Sequence, residues 1–167
     1  MGMGKIRASL DEGRHEQTTV MRLIYASNHG GICNKYTDEI LSISRSNNSR
    51  DNITGVLIIT DEDFLQLLEG SRESVTNCFA RILLDNRHRN VQILYANDAG
   101  LRLFPSWSMH SIKSSRVRKH SLVTQLRQGT FNPFSVSAWE VEQAFQAVAR
   151  EMGLAKPGTQ NGFLRCP

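Results

Sequence analysis

Phe64–Gly70, FLQLLEG, is an apolar run with one amide at its third position and an acid–glycine pair at its end. As a strand it alternates, placing Phe64, Gln66 and Leu68 on one face and Leu65 and Leu67 on the other. Both faces then carry apolar side chains, so the strand is buried on both sides and belongs inside a layered domain. Gln66 takes two N–H donors and a carbonyl acceptor into that interior. Left unpaired they cost about 1–3 kcal/mol, so the amide needs partners on neighbouring elements.

The flanking sequence supplies those elements. GVLIIT (Gly55–Thr60) and the polar turn Asp61–Asp63 precede the run and make a hairpin with it. Upstream, RLIYAS (Arg22–Ser27) is a β-type run ending at Asn28–Gly31. DEILSISRSNN (Asp38–Asn48) then places Ile40, Leu41 and Ile43 on one side of a helix that stops near Asn47 and Asn48. Downstream, Val75, Cys78, Phe79, Ile82 and Leu83 have amphipathic spacing in a helix capped by Ser71. Strands follow at Val91–Asn97 and around Trp107–Ile112. The order βαββαββ predicts an α+β, ferredoxin-like βαββαβ fold with an additional strand, its two helices on one sheet face. A C-terminal helical pair covers the other face: a weaker segment at Ser121–Gln128, then a helix with an apolar stripe of Val141, Ala144, Phe145, Val148, Ala149 and Met152.

These signals divide the 167 residues into a polar, disordered extension (1–20), a main domain (21–113), a C-terminal helical cap or output segment (114–152) and a mobile tail (153–167). The net charge of +4 gathers in stretches such as Ser114–His120, a mild bias toward anions and not a nucleic-acid signature. Cys33, Cys78 and Cys166 are an odd number without close spacing, which suggests reduced thiols and neither a zinc site nor a disulfide framework. With no signal-peptide core and no run of membrane-spanning length, a soluble, cytoplasmic protein without membrane partners is expected.

Candidate partners for Gln66 stand at the ends of the neighbouring elements. Tyr25 lies in the first strand, Asn47 and Asn48 close the first helix, and Trp107 and Met109 occupy alternate positions of the last strand and so share a face. Taken one at a time, each has an ordinary explanation as core filler or helix stop. As a set, IYAS (Ile24–Ser27), SRSNN (Ser44–Asn48), ITGVL (Ile53–Leu57), FLQLLEG, DNRH (Asp85–His88) and FPSWSM (Phe104–Met109) resemble, in this order and at these separations, the BLUF family of blue-light sensors using flavin adenine dinucleotide (FAD). The resemblance covers Met21–Lys113, and the following helices resemble those of short, single-domain BLUF proteins. The N-terminal extension lies outside the pattern.

The resemblance implies FAD as cofactor, its isoalloxazine ring lying between the two helices with its polar edge toward Tyr25, Gln66 and Asn48, and Asn47 beside them. It implies reversible electron and proton transfer from Tyr25, rearrangement of the Gln66 amide by rotation or tautomerisation, and a stronger hydrogen bond to a flavin carbonyl that shifts absorption to the red. Arg81 would meet phosphate and Asp85 the ribityl region, although a solvated i, i+4 pair explains these two equally well. Arg87 and His88 match the family's RH element, or are simply loop residues at a helix end. Trp107 and Met109 would relay the signal to a separate downstream protein, and a homo-oligomer is plausible through the C-terminal stripe. Other functions are open to test. An enzyme lacks a Ser/His/Asp set, a ligand cluster and a phosphate-cradling glycine loop. A nucleic-acid module would carry exposed aromatics on strands that are here aliphatic. A light-insensitive adaptor would keep the fold without the colour change.

Overall fold

FLQLLEG lies in the central strand of a five-stranded mixed sheet ordered β4-β1-β3-β2-β5. The computed structural model describes residues 19–31, 34–113, 132 and 136–154. The elements are β1 (Val20–Asn28), α1 (Asn34–Arg50), β2 (Thr54–Ile59), β3 (Asp63–Gly70), α2 (Arg72–Leu83), β4 (Arg89–Ala99), β5 (His110–Lys113) and α3 (Ala138–Glu151). This is the expected α+β, ferredoxin-like order with an added strand, and β5 joins parallel to β2. β1 begins at Val20, one residue inside the stretch assigned to the extension. Residues 1–18, the segment 121–128 expected to form the first helix of the C-terminal pair, and the tail beyond 154 lie outside the described residues.

Burial on both faces of β3 creates two cores. Leu65 and Leu67 pack with Ile24, Val56 and the Val141–Phe145–Val148 stripe of α3. Phe64 and Leu68 pack with Tyr25, Leu41 from α1 and Val75 and Cys78 from α2. Ser71 caps α2 as expected, accepting the Ser74 amide at 3.0 Å. Ser137 and Glu140 form a reciprocal capping box that fixes the start of α3. Of its apolar stripe all but Met152 are buried; Met152 sits just past the helix and is 41% exposed.

A buried ion pair ties these layers together. Arg22 of β1 donates to Glu69 of β3 at 2.8 Å and to Glu142 of α3 at 2.8 Å. Glu69 also accepts the backbone N–H groups of Leu103 and Phe104, so one carboxylate anchors the β4–β5 connection.

Two local expectations are corrected. Helix α1 runs past Asn47 and Asn48 to Arg50, and Ile43 points outward, 44% exposed. The stop is Asn52, whose φ of 51° lets Ile53 N–H reach Asn48 O at 2.8 Å and Asn52 N–H reach Ser49 O at 3.4 Å, a Schellman closure. Trp107 and Met109 precede β5 and do not share a face. Trp107 N–H bonds back to Phe104 O at 3.3 Å, so this stretch turns where alternation assumed extended backbone. As a result Met109 enters the core beneath α1 and α2, while Trp107 packs against the core under α3.

Candidate functional site

Tyr25 and Gln66 are cross-strand partners in the β1–β3 register. Their side chains therefore emerge side by side on the face covered by α1 and α2, and both are buried, Gln66 to 5% exposure. The Tyr25 hydroxyl donates to Gln66 Oε1. That assigns the other end of the amide, and Nε2 donates to the Met109 thioether at 3.6 Å. A thioether is a weak acceptor.

Asn48, in the last turn of α1, forms the adjoining wall. Its Nδ2 donates to Ser108 O at 2.8 Å, and its Oδ1 accepts the Cys78 thiol at 3.6 Å. Asn47 is half-buried beside it. Burial raises the Tyr25 pKa well above that of a free phenol, with the nearby Cys78 and Asp85 adding to the shift, so the hydroxyl stays protonated. Burial likewise raises the Cys78 thiol.

Aromatic groups line the end of the site toward the α2–β4 turn. Phe79 lies 5.3 Å and His88 6.1 Å from the Tyr25 ring, centroid to centroid. His88 Nδ1 and Ser27 Oγ share a hydrogen bond at 2.9 Å. Desolvation lowers the His88 pKa to about 4, leaving a neutral imidazole at physiological pH.

The Arg81–Asp85 pair, the alternative to a role at the cofactor, does not form. Helix α2 ends at Leu83, so Asp85 has left the helical face; it binds Arg87 at 2.6 Å, which lowers its pKa. Arg81 instead binds Asp51 at 2.6 Å, just past the end of α1. The structure thus brings Tyr25, Gln66, Asn48, Met109 and His88 around one wall, with Arg81 and the Asp85–Arg87 pair at its margins and Trp107 across the sheet. Ser27, Cys78 and Ser108 were not foreseen as site residues. For Ser27 a signal existed, since it lies two residues after Tyr25 on one strand and shares its face.

The donor set fits a flat heterocycle with a polar edge. Among the described residues, Gln66 Nε2 has only a sulfur acceptor and Asn48 Oδ1 only a thiol donor, so two buried amides retain hydrogen-bonding capacity on one wall. Leu41, Phe79 and Ile82 supply apolar surface around them. A separate cleft of about 460 Å³ opens at the β5 edge between Thr37, His110 and Met152 and contains none of these amides. Among the described residues, no helix is long and apolar enough to cross a membrane, and no group of three or more His, Cys, Asp or Glu could hold a metal.

The chain is thus an α+β domain with a buried phenol–amide pair beneath two helices and amide hydrogen-bonding capacity to spare. A family profile described as "Sensors of blue-light using FAD" matches residues 20–110. The chain belongs to the BLUF family. It is 36% identical over 70 residues to the blue light- and temperature-regulated antirepressor BluF of Escherichia coli (strain K12), covering 42% of this chain and 17% of BluF. It is 26% identical over 130 residues to photoactivated adenylate cyclase subunit alpha of Euglena gracilis, covering 76% of this chain and 13% of that subunit. The chain therefore spans less than a fifth of these curated relatives. Among solved structures, the BLUF protein BlrB in its dark state aligns with a TM-score of 0.66 at 25% identity, over 81% of this chain and 98% of BlrB. BlsA in its photo-activated state gives 0.66 at 29% identity, over 78% and 94%.

Proposed function

We propose that this BLUF domain binds FAD between α1 and α2 and switches through Tyr25 and Gln66. The observation that carries this reading is the buried Tyr25 O–H to Gln66 Oε1 bond, whose amide has only a thioether at its other end. Bound flavin supplies an excited state, reached with blue light, that takes up an electron and a proton. Tyr25 is the residue able to give both reversibly, since its phenol is readily oxidised and its hydroxyl remains protonated. Gln66 Oε1 holds that proton's path. Once the phenol no longer donates to Oε1, the amide exchanges its donor and acceptor ends, by rotation or tautomerisation; Tyr25 then recovers its electron and proton, and the exchanged amide persists until it reverts in the dark. Weak pairing at Met109 keeps the exchange inexpensive.

Asn48 and Asn47 would hold the polar edge of the ring and His88 its apolar flank. Arg81 would exchange the Asp51 carboxylate for a phosphate, and Asp85, oriented by Arg87, would face the ribityl hydroxyls. We propose that the output reaches a separate protein; one relative is named an antirepressor and another a photoactivated adenylate cyclase subunit, so the outputs within the family differ. Exposed Trp139 and Met152 flank the buried stripe of α3 and support contacts with a partner or a second copy. The test is an absorption spectrum of FAD-loaded protein before and after blue illumination. A reversible red shift is expected. Bound flavin without any shift would make this a light-insensitive adaptor.

A further inference from the structure

The tripeptide Trp107–Ser108–Met109 is held by three consecutive carbonyls. Gly55 N–H of β2 donates to Trp107 O at 2.8 Å, Asn48 Nδ2 to Ser108 O at 2.8 Å, and Arg45 Nε to Met109 O at 3.0 Å. Arg45 and Asn48 are three apart on α1 and so lie on neighbouring positions of one helix face. The same tripeptide sends Met109 to the Gln66 amide and Trp107 to the opposite core, where its ring stacks between Phe104 at 5.6 Å and His110 at 4.1 Å.

The position of the Met109 sulfur depends on its backbone. That backbone is outside any strand, because β5 starts only at His110. Cross-strand pairing does not fix it, and the carbonyl bonds must. Two of the three come from α1, and the one at Met109 itself comes from Arg45, which donates from a planar guanidinium.

We propose that Arg45 is a positioning residue of the photoswitch: by holding the Met109 carbonyl it sets the thioether against Gln66, and so governs how readily the amide exchanges its ends. This rests on the Tyr25–Gln66 reading. Arg45 touches neither the amide nor the proposed flavin site and acts through Met109. It also gives α1 a direct mechanical link to the segment that carries the signal into β5.

The test compares wild type, Arg45→Ala and Arg45→Lys, all loaded with FAD, by light-minus-dark absorption, dark-recovery kinetics and backbone hydrogen exchange in the dark. Arg45→Ala is expected to retain flavin and the red shift, to raise exchange across residues 108–112, and to change the recovery rate by about fivefold or more, the size expected for one ordinary hydrogen bond. Lysine, which can still reach a carbonyl, restores the rate at least in part. Recovery within about twofold of wild type in Arg45→Ala, or a change that lysine does not relieve, overturns the role. A wild type without any red shift removes the Tyr25–Gln66 reading and this role with it. That outcome is distinct from a normal wild-type shift paired with an indifferent Arg45 variant.

Discussion

At Tyr25 the useful property is a proton that burial keeps in place and a neighbour that can accept it. Tyr25→Phe preserves the ring that packs on Phe79 and removes the hydroxyl. The variant is expected to bind flavin and to lose the red-shifted state entirely; a normal light-minus-dark spectrum would refute the role of the phenol. Gln66→Leu should behave alike, because leucine has no ends to exchange. His88 gives a prediction of another kind. Its folded pKa of about 4 lies below the 6.5 of a free imidazole, so between these values the unfolded chain binds a proton that the folded one refuses. Stability therefore falls as pH drops from 6.5 to 4, by at most about 3.4 kcal/mol at 1.36 kcal/mol per pH unit, and levels off below that. Chemical unfolding from pH 7 to pH 4 should show this slope in wild type and a shallower one in His88→Gln.

The elements are joined by charge as well as by apolar packing. Arg22 and Glu69 are almost wholly buried and pin β1, β3, the β4–β5 connection and α3 at one point. Removing Glu69 leaves buried Arg22 with Glu142 alone and takes the acceptor from the Leu103 and Phe104 N–H groups, so Glu69→Ala is expected to lose about 3 kcal/mol in urea unfolding. Arg22→Met combined with Glu69→Leu should lose distinctly less. Equal losses in the single and double variants would mean that the pair is not what holds the layers. None of this network was legible in the sequence, since it depends on which strands become neighbours. Alternation was enough to put Gln66 with Phe64 and Leu68, and helical spacing with a serine cap was enough to define α2. The Tyr25–Gln66 contact was expected through the family resemblance, since alternation along each strand does not say which strands pair. Expectations failed where an element ended: Asp85 beyond the last turn of α2, Asn52 closing α1 in a left-handed conformation, and the turn that separates Trp107 from Met109. Periodicity describes the interior of an element and is silent about the residues that leave it.

Across the whole molecule the sheet divides a core containing the phenol–amide pair from a core roofed by α3, and few groups bridge the two. Trp107–Met109 does so within three residues, beside the parallel β2–β5 pairing of Val56 with His110. On the proposed switch, a change in the Gln66 hydrogen bonds would act first on the Met109 sulfur, the contact at the amide's other end. Movement there would pass to His110, on which the Trp107 ring stacks, and so to the core that α3 covers. Met109→Ala breaks the chain at its first link and leaves Tyr25 and Gln66 intact. It should therefore keep a red-shifted photoproduct, while the light-dependent change in hydrogen exchange across Ala138–Glu151 shrinks or vanishes. Methionine is also an adaptable filler of irregular gaps, so Met109→Leu is the necessary companion: similar in volume, without sulfur. If leucine preserves the exchange response, shape carries the signal; if it fails as alanine does, the sulfur contact carries it. Should wild type show no light-dependent exchange in α3, or Met109→Ala retain it in full, the path from Gln66 to the cap does not run through this residue.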